Sequence, residues 1–160
     1  LPVRALIVDD EKLARDEMRY LLEQLGDIEI AGEAAGGEEA VAMAAELAPD
    51  IVFLDIQMPV LDGFGVVRAM VDSGDVPLVV FTTAYDQYAI KAFEINAVDY
   101  LLKPVEKDRL EEAVERAKAM IPSQAEYVEK LRQLTEAIHV GRKFLPRIVV
   151  KKDGGMSLVD

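Results

Sequence analysis

An α/β fold is predicted, a five-stranded parallel sheet with helices on both faces, in a (βα)5 pattern. Three observations predict it. Five short apolar, β-prone runs alternate with five segments whose apolar residues recur at helical spacing. Gly, Pro, Asn or Asp punctuates the junctions between them. Four of the five apolar runs end in polar or charged residues, as strands do when they deliver side chains to one rim of a sheet.

Val3–Val8 reads as a first strand, β1, and runs into Asp9-Asp10-Glu11. Ala14, Met18, Leu21, Leu22 and Leu25 line one face of a helix, α1, that Gly26 can close. Residues 28–33 form a shorter, partly alternating β2, and Gly36-Gly37 marks the turn into α2, which runs to about Leu47 and is broken by Pro49-Asp50. Ile51–Asp55 is β3: four apolar residues, then a carboxylate, then a turn built from Met58-Pro59, Asp62 and Gly63. A third helix, α3, uses Val66, Val67, Met70 and Val71 and ends at Ser73-Gly74-Asp75. A fourth strand, β4, over residues 77–82 ends in the hydroxyls Thr82-Thr83. Residues 86–96 read as α4, residues 98–102 as β5 ending in Lys103-Pro104, and Leu110, Val114 and Ala117 as the buried stripe of α5, which closes near Met120.

In a doubly wound sheet of order 2-1-3-4-5 the polar site lies outside the carboxyl ends of the strands, where the strand order reverses. Asp9-Asp10, Asp55, Thr82-Thr83 and Lys103 would share that rim. A buried acid such as Asp55 needs a cation, a set of hydrogen bonds or a chemical task; the plainer alternative is an Asp that caps its turn. Three crowded carboxylates repel one another, and a divalent cation relieves them. Mg²⁺ suits an all-oxygen site, with Asp10 and Asp55 as ligands, the backbone carbonyl of Gln57 as a third and Asp9 acting indirectly. A carboxylate is also a competent nucleophile toward phosphorus, and central Asp55 is the candidate. Lys103 would supply a positive charge and Thr83 a hydroxyl donor to phosphoryl oxygens. Taken singly, a strand-end Lys is usually a solvated charge and a strand-end Thr a good β-former.

Composition excludes other chemistries. The 160 residues contain no Cys and a single His, His139, which rules out thiolate chemistry, disulfides and multi-histidine metal sites. Residues 1–120 hold 11 Lys and Arg against 25 Asp and Glu, while residues 121–160 hold 7 against 5. The acidic front part is a poor match for a nucleic-acid backbone. With no apolar run of about 20 residues and no signal-peptide pattern, a cytoplasmic protein without membrane contact is expected. The chain begins at Leu1 rather than Met and stops without an obvious cap, so a piece of a longer protein is expected.

Asp9-Asp10 after the first strand, Asp55 within Leu54-Asp55-Ile56-Gln57-Met58-Pro59, Asp62-Gly63, Thr83-Ala84 and Tyr100-Leu101-Leu102-Lys103-Pro104 resemble the receiver domain of bacterial response regulators, a flavodoxin-like fold. The resemblance covers residues 1–121. It implies phosphorylation of Asp55 by a sensor histidine kinase, with Mg²⁺ held by Asp10, Asp55 and the Gln57 carbonyl. It also implies that Thr83 and Lys103 bind the phosphoryl group, that Tyr100 is an aromatic switch moving with Thr83, and that the Lys103–Pro104 bond is cis. The added charge would pull Lys103 and Thr83 toward Asp55, let Tyr100 fill the vacated space, and reshape the α4–β5–α5 face, through which a homodimer is expected. A Tyr100 that only packs at the sheet edge is the alternative.

A Mg²⁺-dependent phosphohydrolase of the haloacid-dehalogenase kind would use a similar residue set. It needs a second Asp two positions after its nucleophile; here that position is Gln57, and the position after Asp9 is Glu11. A stoichiometric switch, not an enzyme, is therefore expected, with Gln57 and Tyr85 tuning the loss of the aspartyl phosphate. Beyond the receiver, residues 122–143 form an amphipathic linker helix with Val128, Leu131, Leu134, Thr135 and Ile138 along its seam, expected to pack within its own chain. His139 is expected to be exposed and without a role. Arg147–Lys151, the turn Asp153-Gly154-Gly155 and Met156–Val159 read as a hairpin. That hairpin resembles the opening of a LytTR-type DNA-binding domain, so residues 144–160 would begin a truncated output domain and any contact with DNA would come through its missing part.

Overall fold

The computed structural model describes residues 2–74 and 76–144, the side chains of residues 137–144 apart. The expected hairpin over residues 147–159 and the side chains of Ile138 and His139 lie outside the described residues. The order of elements is β1 (Val3–Val8), α1 (Lys12–Gln24), β2 (Ile28–Ala34), α2 (Gly37–Leu47), β3 (Ile51–Asp55), α3 (Gly63–Ser73) and β4 (Leu78–Thr83). A 3-10 turn (Asp86–Tyr88) then leads into α4 (Ala89–Glu94), followed by β5 (Asp99–Leu102), α5 (Lys107–Met120), a second 3-10 turn (Ile121–Ser123) and α6 (Gln124–Phe144).

All five strands are parallel, in the order β2-β1-β3-β4-β5. With this strand order, the right-handed rule for parallel crossovers puts α1 and α5 on one face and α2, α3 and α4 on the other. Every residue of β3 and β4 is buried, which is why both read as unbroken apolar runs, whereas edge strand β2 is mostly half-buried and edge strand β5 ends on exposed Leu102. The core runs through Leu6, Ile51, Phe53, Phe81, Met70 and Leu110, all essentially inaccessible.

Four strand boundaries differ from the sequence expectation by one residue: β2 ends at Ala34, β4 runs from Leu78 to Thr83, and β5 starts at Asp99. The fourth helix differs more. Its first turn is a 3-10 turn, and the α-helical part ends at Glu94, where Asn96, at φ 67°, turns the chain into the left-handed region. The expected linker helix begins at Gln124 and packs back on its own chain, against α3 and β4. It buries Tyr127, Leu131 and Thr135, four residues apart, while Val128 and Leu134 of the expected seam are half-buried. Tyr127, absent from that seam, is bonded to the sheet: its hydroxyl accepts a hydrogen bond from the Val79 amide at 3.2 Å. Val79 precedes the register in which β5 pairs with β4, beginning at Val80 and Asp99, so the phenol satisfies an amide that the ladder leaves open.

Candidate functional site

The strand order reverses at β1 and β3, and the carboxyl ends of those two strands carry Asp9, Asp10 and Asp55. Asp55 closes β3 with its backbone fixed on both sides. Its pairing with Thr82 holds it level with β4, and Gly63 folds back so closely that a Cβ there would stand 2.7 Å from the Asp55 carbonyl oxygen. The Gly63 amide donates to the Ile56 carbonyl at 2.8 Å, and the Asp62 carboxylate caps α3 by accepting from the Gly65 amide at 2.8 Å. Asp62-Gly63 thus forms a tight return that positions Asp55.

Asp9 and Asp55 are buried and Asp10 is exposed. One carboxylate oxygen from each lies within 4.8 Å of the others. Lys103 reaches in from the end of β5, its Nζ 2.7 Å from Asp9 Oδ2 and 3.5 Å from Asp55 Oδ1. Asp9 Oδ1 accepts from the Glu11 amide at 3.0 Å, and Arg15 donates to the Asp9 carbonyl at 2.8 Å, so the first acid is tied into the start of α1. Burial, with the negative charge of Asp9 added, pushes the Asp55 carboxyl up to about 7 despite the opposing charge of Lys103. Burial pulls the Lys103 ammonium down, but its hydrogen bond to Asp9 and the charges of Asp55 and Asp9 together leave it above the ordinary lysine range. A hard divalent cation fits this donor set, because clustered carboxylate oxygens are the ligands it takes and one lysine does not balance three acids.

Thr83 is buried at the end of β4, and its carbonyl accepts from the Lys103 amide at 2.7 Å, which ties the hydroxyl-bearing and lysine-bearing strand ends together. Thr83 Oγ1 accepts from the Tyr85 amide at 3.2 Å, leaving the hydroxyl proton free to point elsewhere. The Tyr100 ring is half-buried and its hydroxyl donates to the Tyr85 carbonyl, which links β5 to the segment after β4. Tyr85 itself is 48% exposed. The Lys103–Pro104 peptide bond is cis. Gln57 is exposed, and its side-chain amide donates to the Tyr88 hydroxyl at 2.8 Å.

Two groups escaped the sequence reading. In the sequence Tyr88 is only one of the residues at helical spacing in α4, and nothing local points from it to Gln57, 31 positions earlier. Asp99, read as an ordinary strand residue, is buried and bonded to two arginines: Arg109 Nη1 stands 2.9 Å from Asp99 Oδ2, and Arg116 donates to the same oxygen. A signal for this existed, since Arg109 and Arg116 are seven residues apart and share one face of α5.

Residues 5–115 match the family model of the response regulator receiver domain. The transcriptional regulatory protein BtsR of Salmonella typhi is 53% identical over 114 residues, which are 71% of this chain and 47% of that protein. The sensory transduction protein LytT of Bacillus cereus is 40% identical over 144 residues, 90% of this chain and 58% of that protein. The crystal structure of the response regulatory domain of protein mrkE from Klebsiella pneumoniae superposes with a TM-score of 0.68 at 30% identity, covering 76% of this chain and 99% of that one. The chain spans about half the length of the curated relatives it matches. With its sheet order, its acidic rim and these matches agreeing, this chain belongs to the response regulator receiver family of two-component systems.

Proposed function

We propose that this chain is a phosphorylation-dependent switch in which Asp55 accepts a phosphoryl group from a sensor histidine kinase. The observation that carries the proposal is the setting of Asp55, a buried carboxylate with Asp9 and Asp10 within 4.8 Å and the Lys103 ammonium at 3.5 Å. In the transfer, an Asp55 oxygen bonds to phosphorus while the bond from phosphorus to the kinase imidazole breaks, its electron pair staying on nitrogen. Asp10, Asp55 and the Gln57 carbonyl would hold Mg²⁺, with Asp9 acting indirectly; when bound, the cation neutralises phosphoryl oxygens and favours the ionised form of Asp55. Lys103 supplies a second positive charge, and the free proton of Thr83 donates to a phosphoryl oxygen.

The same event drives the output. Drawing Thr83 and Lys103 toward Asp55 disturbs the Tyr85 segment to which the Tyr100 hydroxyl is bonded, and β5, which carries Tyr100, lies between α4 and α5 in the chain. The α4–β5–α5 face already exposes Ile90, Phe93 and Leu102, apolar side chains suited to a phosphorylation-dependent homodimer. Residues 1–121 are the receiver, residues 122–143 a linker helix, and residues 144–160 the start of a LytTR-type output domain through which the longer protein would contact DNA. Gln57 and Tyr85 flank the site and set the rate at which the phosphoryl group is lost. The phosphohydrolase alternative finds no support in the family match, and Gln57 offers no acid for turnover.

Incubation with acetyl phosphate and Mg²⁺, read by intact-mass and peptide mass spectrometry, tests the reading. One phosphoryl group per chain, on Asp55 and lost in Asp55→Asn, is expected. Label on another residue, or multiple-turnover release from a phosphate monoester, overturns it.

A further inference from the structure

The sequence marks Gln57 as a residue that tunes dephosphorylation, but an exposed glutamine has several rotatable bonds and by itself holds no position. In the structure it is held. Its Nε2 donates to the Tyr88 hydroxyl at 2.8 Å, and the Tyr88 ring is fixed in turn: its centroid lies 6.1 Å from that of Phe64, which packs at 5.0 Å on buried Phe81 of β4. Lys91 covers the Phe64 ring from 4.4 Å. The phenol oxygen is therefore placed by the core, and the glutamine by the phenol.

The bond spans the rim between two strand ends. Gln57 follows Asp55 by two residues, and Tyr88 follows Thr83 by five, so the Gln57–Tyr88 bridge joins the end of β3 to the end of β4. Beside it opens a cleft of about 430 Å³ lined by Ile56, Gln57, Met58, Pro59, Asp62 and Tyr88. Gln57 and Tyr88 thus stand on the connections that leave the strands ending in Asp55 and Thr83. Hydrolysis requires a water oxygen to bond to phosphorus as the phosphorus–oxygen bond to Asp55 breaks, the electron pair returning to the carboxylate and phosphate leaving with the water protons.

We infer that Tyr88 is a positioning residue that holds Gln57 across the rim between β3 and β4 and so limits the approach of water to the aspartyl phosphate. The inference rests on the proposed phosphoacceptor role of Asp55. Losing the tether frees the Gln57 amide and opens the rim, so hydrolysis accelerates.

The test uses the whole chain, phosphorylated with phosphoramidate, freed of donor and followed by phosphate-affinity electrophoresis. Tyr88→Phe, which keeps the ring against Phe64 but removes the acceptor, is expected to shorten the half-life at least about threefold, as is Gln57→Ala. Adding Tyr88→Phe to Gln57→Ala is expected to shorten it no further, a result that ring packing alone would not produce. An unchanged or longer half-life in Tyr88→Phe overturns the inference, and so does a Tyr88→Phe effect that persists without Gln57. Should Tyr88→Phe fail to fold, a wild-type half-life in Gln57→Ala overturns it equally. If the parent chain takes no label on Asp55, it is the phosphoacceptor reading that fails, and that is seen before any Tyr88 variant is compared.

Discussion

At the scale of single residues the site stores unfavourable electrostatics, and Asp55 carries most of it. Burial and the charge of Asp9 raise its carboxyl from an ordinary 3.8 to about 7, so between those values the folded chain binds more protons than the unfolded one. The contribution of Asp55 to stability therefore falls as pH rises through that window. Asp55→Asn removes the titrating group and is expected to be more stable than the parent at pH 8 by a few kcal/mol at most, one pKa unit being worth about 1.4 kcal/mol. The margin should shrink toward pH 4 and also on adding Mg²⁺, which favours the ionised acid of the parent. Urea midpoints at pH 5 and pH 8 check this, and an equal margin at both would contradict it. Asp9, Asp10, Asp55, Thr83 and Lys103 could be picked out in the sequence because each stands at the end of an apolar run, and a parallel sheet brings those ends to one rim. The Gln57–Tyr88 bond could not, because both residues lie in connections whose paths only the packed rings of Phe64 and Phe81 determine.

At the scale of elements, strands and long helices follow local periodicity and were legible, whereas α4 shows where that breaks down. Its apolar residues keep helical spacing over residues 86–96, yet Tyr88 is anchored to Gln57 and Phe64, the first turn is a tight 3-10 turn, and only Ala89–Glu94 is α-helical. Tertiary anchoring overrides a pattern that short. The opposite edge of the same face is held by charge. Burial pushes the Asp99 carboxyl up, but the hydrogen bond from Arg109, the Tyr100 amide and the charges of Arg109 and Arg116 outweigh it, and the acid sits below its ordinary range. Arg109 also donates to the Tyr100 carbonyl at 3.2 Å, so this network fixes α5 against the residue proposed to switch. Because the folded pKa is depressed, the stabilisation is present above about pH 4 and is lost as pH falls through the folded value. Asp99→Asn is expected to cost about 2 kcal/mol at neutral pH. The loss should shrink in acid, and hydrogen exchange at the start of α5 should quicken. Unaltered exchange there, or a cost independent of pH, would show that the network does not hold the helix.

At the scale of the whole molecule, α6 decides whether the receiver ends at Met120 or continues. Helical spacing correctly announced the helix, and the expectation that it packs within its own chain agrees with the structure. The hydrogen bond from the sheet to Tyr127 is not legible in the sequence, since a tyrosine in a charged helix gives no sign that it will complete a β-ladder. Tyr127 is almost wholly buried and accepts the Val79 amide, while the buried Thr135 hydroxyl, two turns further on, has no hydrogen-bond partner among the described residues. Burial raises the Tyr127 phenol above the usual tyrosine range, which favours the neutral hydroxyl at this buried position. Over its described side chains α6 is thus docked by one hydrogen bond at Tyr127 and by apolar burial at Leu131. Tyr127→Phe keeps the ring and leaves a buried amide unsatisfied, which costs about 1–3 kcal/mol. It should also quicken amide exchange at Val79 far more than at Val80, whose neighbours in β3 and β5 are unchanged. Thr135→Val, which replaces a hydroxyl without a partner among the described residues by a methyl of similar shape, should instead leave stability equal or higher. If Tyr127→Phe matches the parent in urea midpoint and Val79 protection, the helix is held by Leu131 and its apolar neighbours alone, and the receiver ends where α5 does.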